Sequence, residues 1–291
     1  MTMKQAIFDH LPPATLFAIW AIFGFAPAAW IEDGWLFALV AFGSMFFIQA
    51  MELVHERHEG WRITGREFAT DMFYMVLVIF FIGLVTETYV DGTLLKAKEA
   101  LGIATPWITQ LPFLVQVFMV MLIFEFGQYW MHRFMHNNEL LWSTHAPHHH
   151  VTQLNALKGF VGNPIELFLI SLGVIALFDF DLNALLAAFL SLGAIAQYAH
   201  ANIRSDPPAW YAFFFTTIRH HSLHHTALSY EDTRCNYGNS VILWDRLFGT
   251  FREGESEVVG QDDRRRLSIL EQFAFPYTYF RAKRRQRLAG E

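Results

Sequence analysis

Cysteine is almost missing from this chain, with Cys235 alone in 291 residues. That excludes an intrachain disulfide, a thiolate zinc cage and an iron–sulfur cluster, so any metal must sit on nitrogen or oxygen. Charge is scarce as well: 16% of residues are Asp, Glu, Lys or Arg, against 54% hydrophobic. An ordinary soluble domain carries about 25% charged residues, so the balance indicates a membrane protein. The formal net charge of -6 provides no concentrated positive field and excludes nucleic acid as a partner. No dinucleotide-type glycine fingerprint, haem-attachment motif, internal repeat or low-complexity tract appears. No small-residue cleavage site follows the first apolar run, so that run reads as a retained segment and not a signal peptide.

Long apolar stretches are abundant, and 30 Phe and 9 Trp suit both lipid-facing bulk and interfacial anchors. A spanning helix needs about 20 mostly apolar residues. Residues 35–54, 72–90 and 111–131 meet that need, and residues 14–31 form a fourth candidate interrupted by Gly24 and Pro27. Residues 165–199 read as a hairpin turning at Asp179 and Asp181, whose first limb, 165–178, is short enough to be re-entrant. The expected fold class is an all-α integral membrane protein, a bundle of about four transmembrane helices carrying a cytoplasmic histidine-rich helical cap. Four parts follow along the chain: membrane helices in 1–131, the first two histidine groups in 132–164, a membrane or re-entrant hairpin in 165–199, and the third group with cap and basic tail in 200–291. Arg57, Arg62 and Arg66, with the tail from Arg264 to Arg287, place those segments and all histidine groups on the cytoplasmic side by the positive-inside rule. The charged run 254–266 is expected to be exposed.

Of 14 histidines, 11 lie between His132 and His225. Histidine is costly inside a membrane, so the concentration calls for a ligand role. The first group, His132 and His136 in HRFMH, continues an apolar helix, and spacing of four puts both imidazoles on one face. The second, HAPHH, holds His145, His148 and His149; the third, HSLHH, holds His221, His224 and His225. Residues three and four apart share a face, so each triplet is expected to aim three nitrogens at one centre. Eight imidazoles exceed what one metal uses, whereas two metals share them with positions left open. His200, in YAHANIR, is the expected ninth ligand. His150 and His220 point about 100° away from the triplets on a helix of 3.6 residues per turn and are expected to support the site without binding metal. Glu125, on the same apolar helix as His132, is a carboxylate inside a span and a candidate to orient an imidazole or to bind metal itself. His55 and His58, in HERHE, lack the two-residue gap of the HExxH zinc motif and read as surface residues. Neutral imidazoles suit iron, zinc and copper alike, so the residues alone do not choose the metal.

HRFMH, HAPHH and HSLHH, followed by NYGNSVILWDRLFGTF over 236–251, resemble the fatty acid hydroxylase and sterol desaturase superfamily. The resemblance covers roughly residues 125–251. It implies two iron ions held by His132, His136, His145, His148, His149, His200, His221, His224 and His225 on a cytoplasmic cap. Glu125 stands where many members have aspartate. Arg204 stands where some have a further histidine, which leaves nine histidines in place of ten. Asn236, Asp245 and the tryptophan of the 236–251 segment are expected to buttress the third histidine group. The implied activity is dioxygen-dependent oxidation of a C–H bond in a membrane lipid such as a sterol, fatty acyl chain or carotenoid, with hydroxylation preferred over desaturation. Electrons must then come from an external NAD(P)H-linked reductase with ferredoxin or a cytochrome. The expected location is a bacterial inner membrane or endoplasmic reticulum. A histidine-based metal transporter or storage protein is the competing reading. A transporter places its ligands near the bilayer midplane, whereas these groups follow the ends of apolar runs.

Overall fold

The structure is a computed structural model and describes residues 2–228, 231–261 and 264–289. Among these residues it is helical, with two isolated β-bridges, Glu56 to Ile203 and Thr226 to Val259, and no strands. Among the described residues five helices are long and apolar enough to cross a membrane, against about four expected: α1 (Met3–Phe25), α2 (Trp35–Val54), α3 (Gly65–Ala100), α4 (Phe113–Asn137) and α7 (Leu182–His200). Besides these five lie α5 (Glu139–His149), α6 (Pro164–Ser171), α8 (Ile218–His224) and α9 (Ile269–Ala289).

The first apolar run was expected over residues 14–31, whereas the helix begins at Met3 and takes in Pro12 and Pro13. In the structure Thr2 caps the helix by accepting from Gln5 N, and both prolines lie inside it. The break comes instead at Ala26, before Pro27. The third span also outgrows its expected bounds. Thr64 caps its start by accepting from Glu67 N, and it runs 36 residues, about 54 Å at 1.5 Å per residue, to an end at left-handed Gly102. That exceeds a hydrocarbon core of about 30 Å, so charged residues at both ends lie outside it.

Helix α7 is the centre of the bundle and touches α1, α2 and α4. Its packed face is built from Ala184, Ala187, Ala188, Ser191 and Ala194, all buried, whose small side chains let backbones approach closely. Phe23, Ile48, Val117, Val120 and Met121 fill the spaces around it. By contrast α3 stands at the edge, meeting the rest mainly through the 158–160 turn, α6 and the 175–177 turn. Three contacts tie the chain together near the ends of spans: Lys4 Nζ donates to Val54 O (3.0 Å), Arg57 to Ser205 O (3.1 Å) and Lys158 to Asp71 (2.6 Å).

The first limb of the expected hairpin is a half-helix. Asn163 caps α6 by accepting from Ile165 N, Pro164 occupies its first turn, and the helix stops at Leu172. Residues 172–181 continue without regular helix apart from one turn at Ile175–Leu177. Part of the charged 254–266 run is packed in, not exposed: Ser256, Val259 and Gly260 are buried, and Glu255 is ion-paired with Arg57 and hydrogen-bonded to His58.

Candidate metal centre

The three sequence groups meet in two clusters. His132, His136, His145, His149 and His224 bring their ligand nitrogens within 4.8 Å of one another, and so do His148, His200, His221 and His225. All nine rings are buried. The triplets therefore do not each aim at one centre. His145 and His149 of α5 join the first cluster while His148 joins the second. On α8 the pair His221 and His225 joins the second cluster while His224 crosses to the first. Helical geometry accounts for this: positions i and i+4 lie about 40° apart round the axis, and i+3 lies about 100° from i+4.

Most of the rings are oriented by the atom they do not offer. His132 Nδ1 donates to Tyr237 O (2.6 Å), His224 Nδ1 to Cys235 O (2.8 Å), His148 Nδ1 to Val161 O (2.8 Å) and His200 Nδ1 to Ala196 O (2.8 Å). A carbonyl only accepts, so each of these rings carries its proton on Nδ1 and presents a bare Nε2. His145 Nδ1 is held at 2.9 Å by Glu166 Oε1.

This arrangement provides a test of whether a metal fits. Nε2 of His132 and Nε2 of His224 are 3.0 Å apart, each a lone pair with its proton committed elsewhere. Two lone pairs at that distance repel unless a cation lies against both. A proton placed there would create a buried imidazolium. Burial opposes it, holding His149, His221, His224 and His225 well below the ordinary imidazole value and pushing His145 down to about 3. Neutral, all-nitrogen donor sets of this kind fit a divalent metal such as iron, zinc or copper.

The residues expected to support the site occupy a further layer. Asp245 accepts from Tyr237 N (2.8 Å), Gly238 N (2.7 Å) and the Thr250 hydroxyl (2.6 Å), which fixes the loop whose carbonyls orient His132 and His224. Asn236 takes a left-handed φ of 52°, which asparagine tolerates, and its side chain donates to His220 O and Arg252 O. A side chain at Gly238 would meet Val241 O at 2.5 Å, so the loop needs glycine there. Glu125 is in neither cluster; its Oε2 accepts from Val241 N at 3.3 Å, on the far side of the same loop. His220 packs on Phe251 and His150 on Phe275, both outside the clusters. His58 and His55 are also outside; His58 bonds Glu255, and His55 packs on Phe8.

Sequence reasoning missed two carboxylates. Glu166 follows the Asn163-Pro164 helix start, a local pattern that explains a first-turn acid without revealing its partner His145. Glu52, near the end of α2, accepts from Ala156 N (2.8 Å) and Asn202 N (2.6 Å) and is also bonded by Gln49. It thereby ties the 155–160 turn to the segment after His200. The two meet at Gly159, where an added Cβ would lie 3.2 Å from the His200 ring.

A cavity of about 260 Å³ opens beside the clusters and is lined by His132 and His145 of one and His148 and His200 of the other. Phe124, Phe189 and Asn239 are also in its wall.

A family model for fatty acid hydroxylase matches residues 117–250. The ornithine lipid hydroxylase OlsE of Rhizobium tropici is 34% identical over 182 residues, 59% of this chain and 53% of that protein. The human alkylglycerol monooxygenase is 27% identical over 136 residues, 46% of this chain and 30% of that protein. A probable Delta(7)-sterol 5(6)-desaturase of Neurospora crassa is 28% identical over 145 residues, 48% of this chain and 39% of that protein. The chain spans about half the length of the first of these relatives and less of the others. No solved structure matches it.

Proposed function

The chain belongs, through residues 117–250, to the fatty acid hydroxylase family, and from that premise we propose that it is an integral membrane enzyme oxidising a C–H bond of a lipid with dioxygen. One observation carries the reading. A single cavity is walled by histidines of both clusters, so a group lodged in it faces both. His132, His136, His145, His149 and His224 would hold one iron ion, and His148, His200, His221 and His225 the other. Iron bound there supplies the dioxygen chemistry that an unactivated C–H bond requires and that no amino-acid side chain provides.

The chain's own groups do the rest. The carbonyls of Tyr237, Cys235, Val161 and Ala196 hold four rings in one tautomer, which removes the cost of orienting them when metal binds. Glu166 does the same for His145 and borders the cavity. Burial keeps bulk water away. Hydroxylation, the preferred outcome, converts C–H and O2 with two electrons and two protons to C–OH and water. Those electrons come from an external NAD(P)H-linked reductase with ferredoxin or a cytochrome.

The substrate is a membrane lipid, as the names of the relatives suggest for them. The cap with both clusters faces the cytoplasm, of a bacterium or next to the endoplasmic reticulum, since Arg57, Arg62, Arg66 and the basic tail lie on its side. The four-part division of the chain follows from this, with residues 132–164 and 200–291 supplying the cap. Transport or storage of metal finds no support among the relatives, and His136 and His200 lie in the last turns of their spans and not at mid-membrane. The test is purification with iron, followed by oxygen uptake that requires both a reductant and a lipid extract. Metal flux into liposomes with no oxygen uptake would refute the enzyme reading.

A further inference from the structure

A larger cavity, about 690 Å³, lies between α3 and the non-helical limb after α6. Two features of the backbone are shaped around it. The first is in α3, where Leu77–Ile82 and Thr86–Asp91 run as π-helix. Val78, Ile82, Glu87, Asp91 and Leu95 line the cavity at steps of four or five residues. In an uninterrupted α-helix residues 78 and 95 would sit about 100° apart round the axis; the wider i→i+5 turns keep them on one wall. The second is the limb itself. Backbone without helical bonding is tolerated at membrane depth only where protein buries it or where it lines a cavity. Gly173, Ile175 and Phe178 of this limb line the cavity.

The walls are apolar along most of their length, and polar groups gather at the end away from the histidines: Glu87, Asp91 and the Lys98–Asp179 ion pair. At the other end Phe124 and Phe189 border both this cavity and the one beside the metal clusters. Their rings meet edge to face, 5.2 Å apart at 83°. Gly173 backs Phe124 so closely that an added Cβ would lie 2.9 Å from two of its ring atoms. From Phe124 to His132 is eight residues along α4, about 12 Å.

We propose that this cavity holds one flexible acyl chain of the substrate lipid, and that the Phe124–Phe189 contact is the gate that sets how far the chain reaches toward the histidines. The proposal rests on the lipid-oxidation reading above and names the substrate class for it. Gly173 is the residue that leaves Phe124 room to swing aside.

The test is photolabelling of metal-free protein in nanodiscs containing phosphatidylcholine with a diazirine at the end of one acyl chain. A parallel arm uses the same chain as a free fatty acid, which tells a bilayer lipid from a free acid as the source. Labels are expected on peptides covering residues 77–95 and 172–189. Phe124→Ala should raise labelling of peptides 157–170 and 192–200, which border the histidine cavity, at least threefold. Gly173→Ala, an independent variant with a smaller perturbation, should lower it at least threefold. Labels confined to residues 37–45, in a neighbouring pocket of about 420 Å³, would overturn the assignment. So would maps in both variants that match the unsubstituted protein. Because no turnover is involved, a protein that labels as expected but takes up no iron would refute the metal reading and leave this one standing.

Discussion

Removal of Glu166 tests the metal centre through a residue that lies in neither cluster. Its Oε1 holds His145 Nδ1 at 2.9 Å, while its Oε2 is buried with no hydrogen-bond partner. In Glu166→Ala the imidazole loses its acceptor, at about 1 to 3 kcal/mol, but the protein also sheds a half-satisfied buried carboxylate, so the two effects oppose each other in the metal-free state. Metal-free stability should therefore change little. The bound state has no such offset. Partners of this kind are worth about 10- to 100-fold in metal affinity, or about 1.4 to 2.8 kcal/mol. Since Glu166 hydrogen-bonds only a ring of the five-histidine cluster, one of two metal equivalents should weaken clearly more than the other. Anaerobic titration with Co2+ against a competing chelator, followed by ligand-field absorption, resolves the two. Glu166→Gln, whose amide oxygen still accepts, should recover part of the loss. Equal weakening of both equivalents, or unchanged binding in Glu166→Ala, would refute the assignment of Glu166 to His145 and with it the two-cluster grouping.

Three further outcomes follow from named contacts. Glu52→Ala leaves the buried N–H groups of Ala156 and Asn202 without their acceptor; at about 1 to 3 kcal/mol each the cap should unfold at clearly lower temperature in detergent, measured by circular dichroism, with Glu52→Gln intermediate. His148→Ala and His225→Ala should each lose bound iron and activity with helical content unchanged, whereas His58→Ala, which removes contacts to Glu255, Glu257 and Trp61 but belongs to neither cluster, should keep its iron; metal analysis of the three proteins decides. Burial pushes Glu255 up, but hydrogen bonds from Arg57 and His58 outweigh it and hold the carboxyl down at about 2. A depressed folded value means stability that is complete above the unfolded carboxyl range and is lost as pH falls from about 4.5 toward 2. Glu255→Gln should flatten that part of the stability profile, read by unfolding at fixed pH steps.

What could be read ahead of the structure divides by the range of the interaction. Eight of the nine cluster histidines were legible because helical spacing is local: each group announces a face without any knowledge of its partner, whereas the lone His200 was expected from its place between the groups and from the family resemblance. The long apolar runs were legible for the same reason, and their bounds moved most where the first helix took in Pro12 and Pro13 and where α3 continued past the hydrocarbon thickness. Glu166 and Glu52 were not legible. Their bonds join residues 21, 104 and 150 positions apart, and nothing near Glu52 distinguishes it from a charge at the end of a span. The 236–251 segment was expected to buttress the third histidine group. Its loop also serves the first, since Tyr237 O orients His132 from 105 residues away. The sharing of each triplet between two clusters was likewise hidden, because it depends on how α5 and α8 face each other.

That sharing bears on why one cluster has five nitrogens and the other four. Helices α5 and α8 carry the same spacing and make reciprocal contributions, a pair to one cluster and a single ring to the other, so they add three to each. The difference lies in the remaining helices. On α4, His132 and His136 sit a turn apart inside continuous helix and both point inward. On α7 the helix ends at His200, and Ala201 is extended at φ -68° and ψ 133°. The chain then runs past α2, where Ile203 bridges Glu56 and Arg204 N donates to His55 O at 2.8 Å. Position 204 is therefore not one helical turn beyond His200, and Arg204 is exposed. A fifth nitrogen for this cluster is blocked by the path of the backbone as well as by the identity of the residue. Of the four rings that border the cavity, two belong to each cluster, so the cavity lies beside both centres although their protein ligand sets differ in size.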